Sequence, residues 1–290
     1  MTLSERLTDW GHYLSNGVLR VMGRLLRLLP YDRRVHFGGW LGRNVLMRIP
    51  AARKRVERNL TRIMPELDAE QRRTLGRGVG DNFGRVLVEE MMMEDVIADP
   101  ARFRISGPGW PLLQERAAEG KGAILATAHF GNWEGLRTSA RDAGVPIGGV
   151  YRAHNNPYYN EDFVATLRVL NENAFSKGRS GMRDLLRFLK RGGIVAILVD
   201  QKQSRAPLIP FLGHPAETTL SAAKLARSLD IPLIPVCSSR AEDGLSFDSI
   251  VAAPIPVGTE EEMMRAVNDQ LSAWIRAHPE QWFWFHRRWR

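Results

Sequence analysis

The chain has 290 residues, 44% of them hydrophobic, which excludes a disordered chain and allows one large domain or two modest ones. Its single cysteine, Cys237, excludes a disulfide within the chain and sits in an apolar stretch, as a buried structural thiol in a reducing compartment does. The net charge of +9 is concentrated early, since residues 1–60 hold twelve Arg or Lys against four acids; such a patch suits nucleic acid, anionic lipid or an acidic protein, and charge alone does not choose.

The first predicted element is a helix whose apolar residues Leu7, Trp10, Leu14, Val18, Met22, Leu25 and Leu29 recur in steps of three and four. Arg20, Arg24 and Arg27 occupy its other side, and Pro30 closes it. This pattern fits a helix lying in a bilayer surface, the alternative being a helix packed on its own domain. Arginines interrupt every apolar stretch, so no run approaches the roughly 18 residues needed to span a bilayer. A compact uncharged core with a small-residue cleavage site is also missing, so no signal peptide is expected.

Residues 31–96 read as helices punctuated by Pro50 and Pro65. Gly76, Gly78, Gly80 and Gly84 have the wrong spacing for a dinucleotide loop and follow no strand, so they are expected to let helices approach closely. Met91, Met92 and Met93 suit flexible core filling better than the edge of a lipid groove.

After Pro100 the pattern alternates. Strands are expected at 103–105, 123–128, 147–151, 194–199, 233–237 and 247–251, with helices at 111–119, 132–143, 158–174, 181–190, 218–229 and 260–277. This predicts an α/β fold with a largely parallel sheet flanked by helices, and two regions: 1–100, basic, helical and membrane-associating, and 101–290, the α/β domain. Sites in such sheets gather at the carboxyl ends of strands, where His129, Arg152 and Asp200 fall.

His129 sits where the buried run Ala123–Ala128 gives way to a helical pattern capped by Asn132. Glu134, five residues on, would lie about 140° away on one continuous helix. A turn through Gly131 lets the chain fold back and bring carboxylate to imidazole, the arrangement of a general base and its orienting acid. Alone, a histidine at a strand end is more often structural. Arg152, in Tyr151-Arg152-Ala153-His154-Asn155-Asn156-Pro157, suits phosphate or carboxylate, while an exposed loop arginine is ordinarily just solvated. Asp200-Gln201 ends a buried strand, where the carboxylate either positions the acceptor or a basic side chain or merely caps the strand. GxSxG, GxxxxGK[ST] and HExxH are absent, and the scattered histidines lack metal-ligand spacing, so no metal is expected.

The string His129-Phe130-Gly131-Asn132-Trp133-Glu134 resembles the His-x4-Asp/Glu motif of the lysophospholipid/glycerolipid acyltransferase superfamily, in the wording of the late (secondary, lauroyl/myristoyl-type) acyltransferases of lipid A biosynthesis. Four further blocks are similar to that family in the same order: the Tyr151–Pro157 string with Ala153 for the usual proline, Asp200-Gln201, Pro210–Thr219 with Leu212 for the second aromatic, and His278–Trp289. In the last, aromatics interleaved with arginines are expected to lock the chain end into the fold rather than bind nucleic acid.

The resemblance implies a glycerolipid acyltransferase-like fold and an O-acyltransferase that takes a fatty acyl chain from acyl carrier protein or coenzyme A. The implied acceptor is a lipid A precursor, with another bacterial lysolipid or aminolipid as the alternative. It implies His129 and Glu134 as catalytic dyad, and Asn132, Arg152, Arg168, Asp200 and Gln201 as substrate contacts; the backbone N–H groups of Phe130–Asn132, at an expected helix start, are the expected oxyanion donors. No cofactor is expected. The expected partners are acyl carrier protein, an anionic membrane surface and the lipid acceptor, not nucleic acid, at the cytoplasmic face of a bacterial inner membrane and held peripherally. A non-catalytic peripheral membrane or nucleic-acid-binding protein and an acyl hydrolase are the readings from other classes.

Overall fold

A computed structural model describes residues 3–289, with side chains from Thr8 onward; Leu7, at the start of the first apolar face, lies outside the described side chains. Five helices come first: α1 (Leu3–Leu26), α2 (Tyr31–Asn44), α3 (Pro50–Ile63), α4 (Ala69–Met91) and α5 (Met93–Ile97). Their starts follow from local chemistry. Pro50 opens α3, where its missing N–H costs nothing, and a capping box of Asp68 and Gln71 opens α4.

The apolar stripe of α1 faces away from the protein. Its polar side holds it down: the buried Asn16 donates to Asp162 at 2.9 Å, Arg20 forms an ion pair with Asp162 at 2.7 Å, and Tyr158 donates to Asp9. Trp10, Leu14, Val18, Val21 and Leu25 remain more than half exposed. A helix packed on its own domain turns its apolar face inward, and this one does the reverse.

The glycines of α4 meet those of α2. A Cβ on Gly84 would lie 2.1 Å from the Gly38 carbonyl oxygen, and one on Gly42 would lie 1.8 Å from that of Gly80. The two backbones are thus in contact, which no larger residue permits.

The α/β part follows as β1 (Phe103–Ser106), α6 (Trp110–Ala118), β2 (Ala123–Thr127), α7 (Gly135–Asp142), β3 (Ile147–Tyr151), α8 (Pro157–Leu170), β4 (Ala174–Ser176), α9 (Arg179–Lys190) and β5 (Ile194–Leu198). It continues as β6 (Leu208–Phe211), β7 (His214–Glu217), α10 (Ser221–Leu229), β8 (Leu233–Arg240), β9 (Phe247–Val251) and α11 (Glu260–Ala277). Seven strands form one sheet in the order β1-β9-β8-β2-β5-β3-β4, parallel except for β8 against β9. All of β2 is buried, as a central strand covered on both faces must be. One face packs against α3, α10, α11 and the chain's end, the other against α6 and α7. Cys237 is buried in β8 and burial pushes its thiol up to about 12.

Three local elements differ from expectation. α8 stops at Leu170, short of the helix expected to 174, because Asn171 takes extended backbone, and β4 begins at Ala174. β6 and β7 form an antiparallel hairpin over the Pro210–Thr219 block, turned by Leu212 (φ 53°) and Gly213 (φ 86°). α7 starts at Gly135 rather than Asn132, since Asn132 accepts the Glu134 N–H with its own side chain and so holds a turn.

Candidate active site

The site forms where β2 and β5 end side by side. Their parallel register pairs Thr127 with Leu198, and the Val199 N–H donates to the Thr127 carbonyl, so His129 and Asp200 emerge as neighbours. Asp200 is fully buried. One of its oxygens accepts from His129 Nδ1 at 2.8 Å; the other accepts the His129 backbone N–H and Trp282 Nε1, both at 2.9 Å. Burial alone would push this carboxyl up. The adjacent His129, through the field of its ring and the hydrogen bonds from its Nδ1 and backbone N–H, instead holds it well below the usual carboxylate range.

An ionised Asp200 on Nδ1 fixes the imidazole tautomer, leaving the Nε2 lone pair outward. There the Gln201 side-chain nitrogen lies 3.3 Å from His129 Nε2 and 2.9 Å from His286 Nε2. One amide N–H for each imidazole lone pair accounts for both contacts. His286 fits this, for burial above all, and then the field of the neighbouring His129, push it down to about 4, leaving it a neutral acceptor. Trp133 stands edge-on to the His129 ring with centroids 5.1 Å apart, and Phe283 lies 6.0 Å away.

The turn carrying His129 is stitched to the chain's end. Gly131 takes φ +57°, and a Cβ there would meet the Ser238 carbonyl oxygen at 1.9 Å. The Phe283 N–H donates to the His129 carbonyl, and the Gly131 N–H to that of Gln281. The terminal aromatics therefore lock the end into the fold as expected, and they also wall the site. Trp282 and His286 were missed as site residues; their only trace in the sequence is their place in the terminal aromatic block.

Among the predicted site residues, His129, Asp200 and Gln201 are brought together. Arg152 shares with Gln201 the wall of a cavity of about 750 Å³ that also carries Lys177, Lys202, Arg205 and Lys224 and no acid; His129 and Asp200 lie behind Gln201, outside that wall. Arg168 is exposed in the last turn of α8 and lines neither this cavity nor the ones beside α1 and α3.

The expected contact between His129 and Glu134 is not formed. Glu134 ends the turn at the start of α7, where Arg137, one helical turn on, takes its carboxylate at 2.5 Å and donates through Nε to the Ile147 carbonyl. Asn132 is likewise drawn inward, donating to Glu89 at 2.9 Å, and Glu89 is clamped by both terminal nitrogens of Arg240. Nor are the Phe130, Gly131 and Asn132 N–H groups open to an oxyanion, since they donate to Ala128, Gln281 and Ser238. Beside this cluster, burial first and the Glu134 charge second push the Glu90 carboxyl up to about 8.

Among the described residues no three His, Cys, Asp or Glu converge to hold a metal ion. What the arrangement offers is a tautomer-fixed imidazole beside an amide donor, Gln201, that lines a cationic cavity.

Comparison with known proteins bears on this chemistry. Residues 2–290 match the family described as bacterial lipid A biosynthesis acyltransferase. The chain is 28% identical to the lipid A biosynthesis lauroyltransferase of Escherichia coli (strain K12), over 96% of this chain and 91% of that one. It is 26% identical to the lipid A biosynthesis palmitoleoyltransferase of the same organism, over 90% of this chain and 86% of the other. It is also 23% identical to a lipid A biosynthesis acyltransferase of Haemophilus influenzae (strain ATCC 51907 / DSM 11121 / KW20 / Rd), over 95% and 86%.

Proposed function

The chain belongs to the bacterial lipid A biosynthesis acyltransferase family and is an acyltransferase; we propose that it moves a fatty acyl chain from an acyl carrier protein or coenzyme A thioester to a hydroxyl of a lipid A precursor, with His129 as general base and Asp200 as its orienting acid. The observation that carries this reading is the 2.8 Å bond from His129 Nδ1 to a buried carboxylate, which leaves Nε2 to the side chain of Gln201, a wall residue of the cationic cavity.

In this mechanism Nε2 takes the acceptor's hydroxyl proton as the oxygen attacks the thioester carbonyl. Asp200 stabilises the imidazolium so formed. The carbonyl π pair moves onto oxygen, and the Gln201 amide, which already lies 3.3 Å from Nε2 and is released from the imidazoles, donates to that charge. Collapse expels the thiolate, which takes the proton back from Nε2, giving ester and free thiol. Arg152, Lys177 and Lys202 hold phosphate groups of the donor or acceptor. Glu134 becomes a positioning residue, fixing α7 against β3 through Arg137.

We further infer peripheral attachment at the cytoplasmic face of the inner membrane through residues 1–100, with 101–290 as the catalytic domain. The outward apolar stripe of α1 supports this, and among the described residues no helix is long and apolar enough to cross a membrane.

The test is mass spectrometry of products from purified protein, acyl carrier protein thioesters and a panel of lipid acceptors, with His129→Ala in parallel. A gain of one acyl mass on a lipid A precursor, lost in the variant, is expected. Acylation of a lysolipid instead would keep the mechanism and change the acceptor; release of free fatty acid would make the protein a hydrolase; an active variant would overturn the mechanism.

A further inference from the structure

A second cationic cleft lies between α2, α3 and the first half of α4, sharing no wall residue with the cavity at Gln201. It has a volume of about 420 Å³, and its walls carry Arg43, Arg48, Arg53, Arg72, Arg73 and Arg77 against one acid, Glu57, with Met47 and Val56 supplying apolar surface. The protein answers these charges in part. Arg43 pairs with Asp81 at 3.1 Å, Arg73 pairs with Glu70, Arg77 reaches the Asn44 side chain and Arg72 a backbone carbonyl. Arg48 and Arg53 meet no acid among the described residues.

Six guanidiniums in one concave site repel each other until an anion enters, and their planar forks match phosphate oxygens. The surroundings say where that phosphate resides. Phe37 and Trp40 stack on the outer face of α2 with centroids 6.0 Å apart, and Val45 and Ile49 adjoin the cleft wall; all four are 42–54% exposed. Exposed aromatic and aliphatic side chains beside arginines are the composition of a surface seated at the headgroup level of a bilayer. We propose that this cleft binds the phosphate of an anionic lipid headgroup, with Phe37, Trp40, Val45 and Ile49 in the interface beside it. The concave shape and the apolar flank favour a headgroup over an acidic protein surface. This binding is independent of the catalytic assignment, because its test reads binding.

Wild-type protein and the Arg48→Gln/Arg53→Gln double variant are sedimented with phosphatidylcholine vesicles with and without phosphatidylglycerol. Lys54→Gln/Arg58→Gln serves as a control of equal charge loss outside the cleft, and inorganic phosphate is added as a soluble competitor. At roughly fivefold in partition per arginine, the cleft variant should bind phosphatidylglycerol vesicles about thirtyfold more weakly. The control should lose much less, and transfer to detergent-dispersed acceptor should be unchanged. Equal losses in variant and control would reduce the cleft to general surface charge and overturn the proposal. Wild-type vesicle binding by the cleft variant would overturn it too. In that event, phosphate raising the melting temperature only when Arg48 and Arg53 are present would make the cleft a free-phosphate site. Selective loss of transfer from carrier-protein thioesters, with coenzyme A thioesters still used, would make it a protein dock.

Discussion

His129 has two carboxylates within reach of argument and only one within reach of its ring. Asp200 holds Nδ1, whereas Glu134 is spent on Arg137, whose side chain is 4% exposed. The two acids should therefore respond differently to isosteric change. Asp200→Asn keeps the shape, loses the imidazolium's counter-charge and frees the tautomer, and should lower kcat on the order of a thousandfold or more. Glu134→Gln should lower kcat less than about tenfold while costing roughly 2 kcal/mol of stability, because Arg137 loses a charged partner. Steady-state kinetics with urea unfolding on both variants checks this; the reverse order would return Glu134 to the base. Stability should also depend on pH from both sides. His286 resists protonation when folded, so between its ordinary 6.5 and about 4 the unfolded chain binds more protons, and stability is lost as pH falls. Glu90 holds its proton up to about 8, so its contribution is full below 4.5 and lost as pH rises through 8. Unfolding measured across pH should lose the slope between 6.5 and about 4 in His286→Gln, keep the steeper acid loss below it, and flatten on its alkaline side in Glu90→Gln.

Helices and strands show which parts of this were legible. The apolar runs gave β1, β2, β3, β5 and β9 to within a residue and the start of β8, which runs three residues further, and the glycines of α4 were readable as a close helix contact. That contact yields a paired expectation. Gly84→Ala places a methyl 2.1 Å from a backbone oxygen of α2 and should cost about 2 kcal/mol or more. Gly17→Ala, in α1 with nothing within 4 Å of the added carbon, should gain up to about 1 kcal/mol. Thermal unfolding of the two variants separates a packing role from mere helix propensity. The partner of His129 was not legible, because it depends on register: β2 and β5 are 71 residues apart and align so that Val199 binds Thr127. Asp200 stood out as a strand-end acid, but nothing local says which strand lies beside it. Glu134 misled for the converse reason, since the local motif put it near the histidine while the turn at Asn132 aimed it at Arg137. The β6–β7 hairpin was hidden because a leucine, Leu212, takes the left-handed position that Asn or Gly normally marks.

The molecule as a whole turns two kinds of surface outward. α1 shows a stripe from Trp10 to Leu25, and it is fastened to α8 by polar contacts that leave that stripe free. The excess of arginine and lysine over acid lies in the same first sixty residues. Charge and apolar burial differ in their response to salt, because exposed charges are screened over about 8 Å at physiological ionic strength while burial of hydrocarbon is not weakened. Attachment to anionic vesicles should therefore fall as salt rises and then level off above zero. The remainder belongs to the apolar stripe. Trp10→Ser, Leu14→Ser and Val18→Ser together, all at side chains 59–64% exposed, should leave folding intact and remove the salt-resistant fraction while retaining attachment at low salt. Vesicle sedimentation over a salt series reads both components, with circular dichroism to check the fold. Should the triple variant keep its salt-resistant binding, α1 would not be the inserted element, and the apolar rim of the α2–α3 cleft would carry attachment alone.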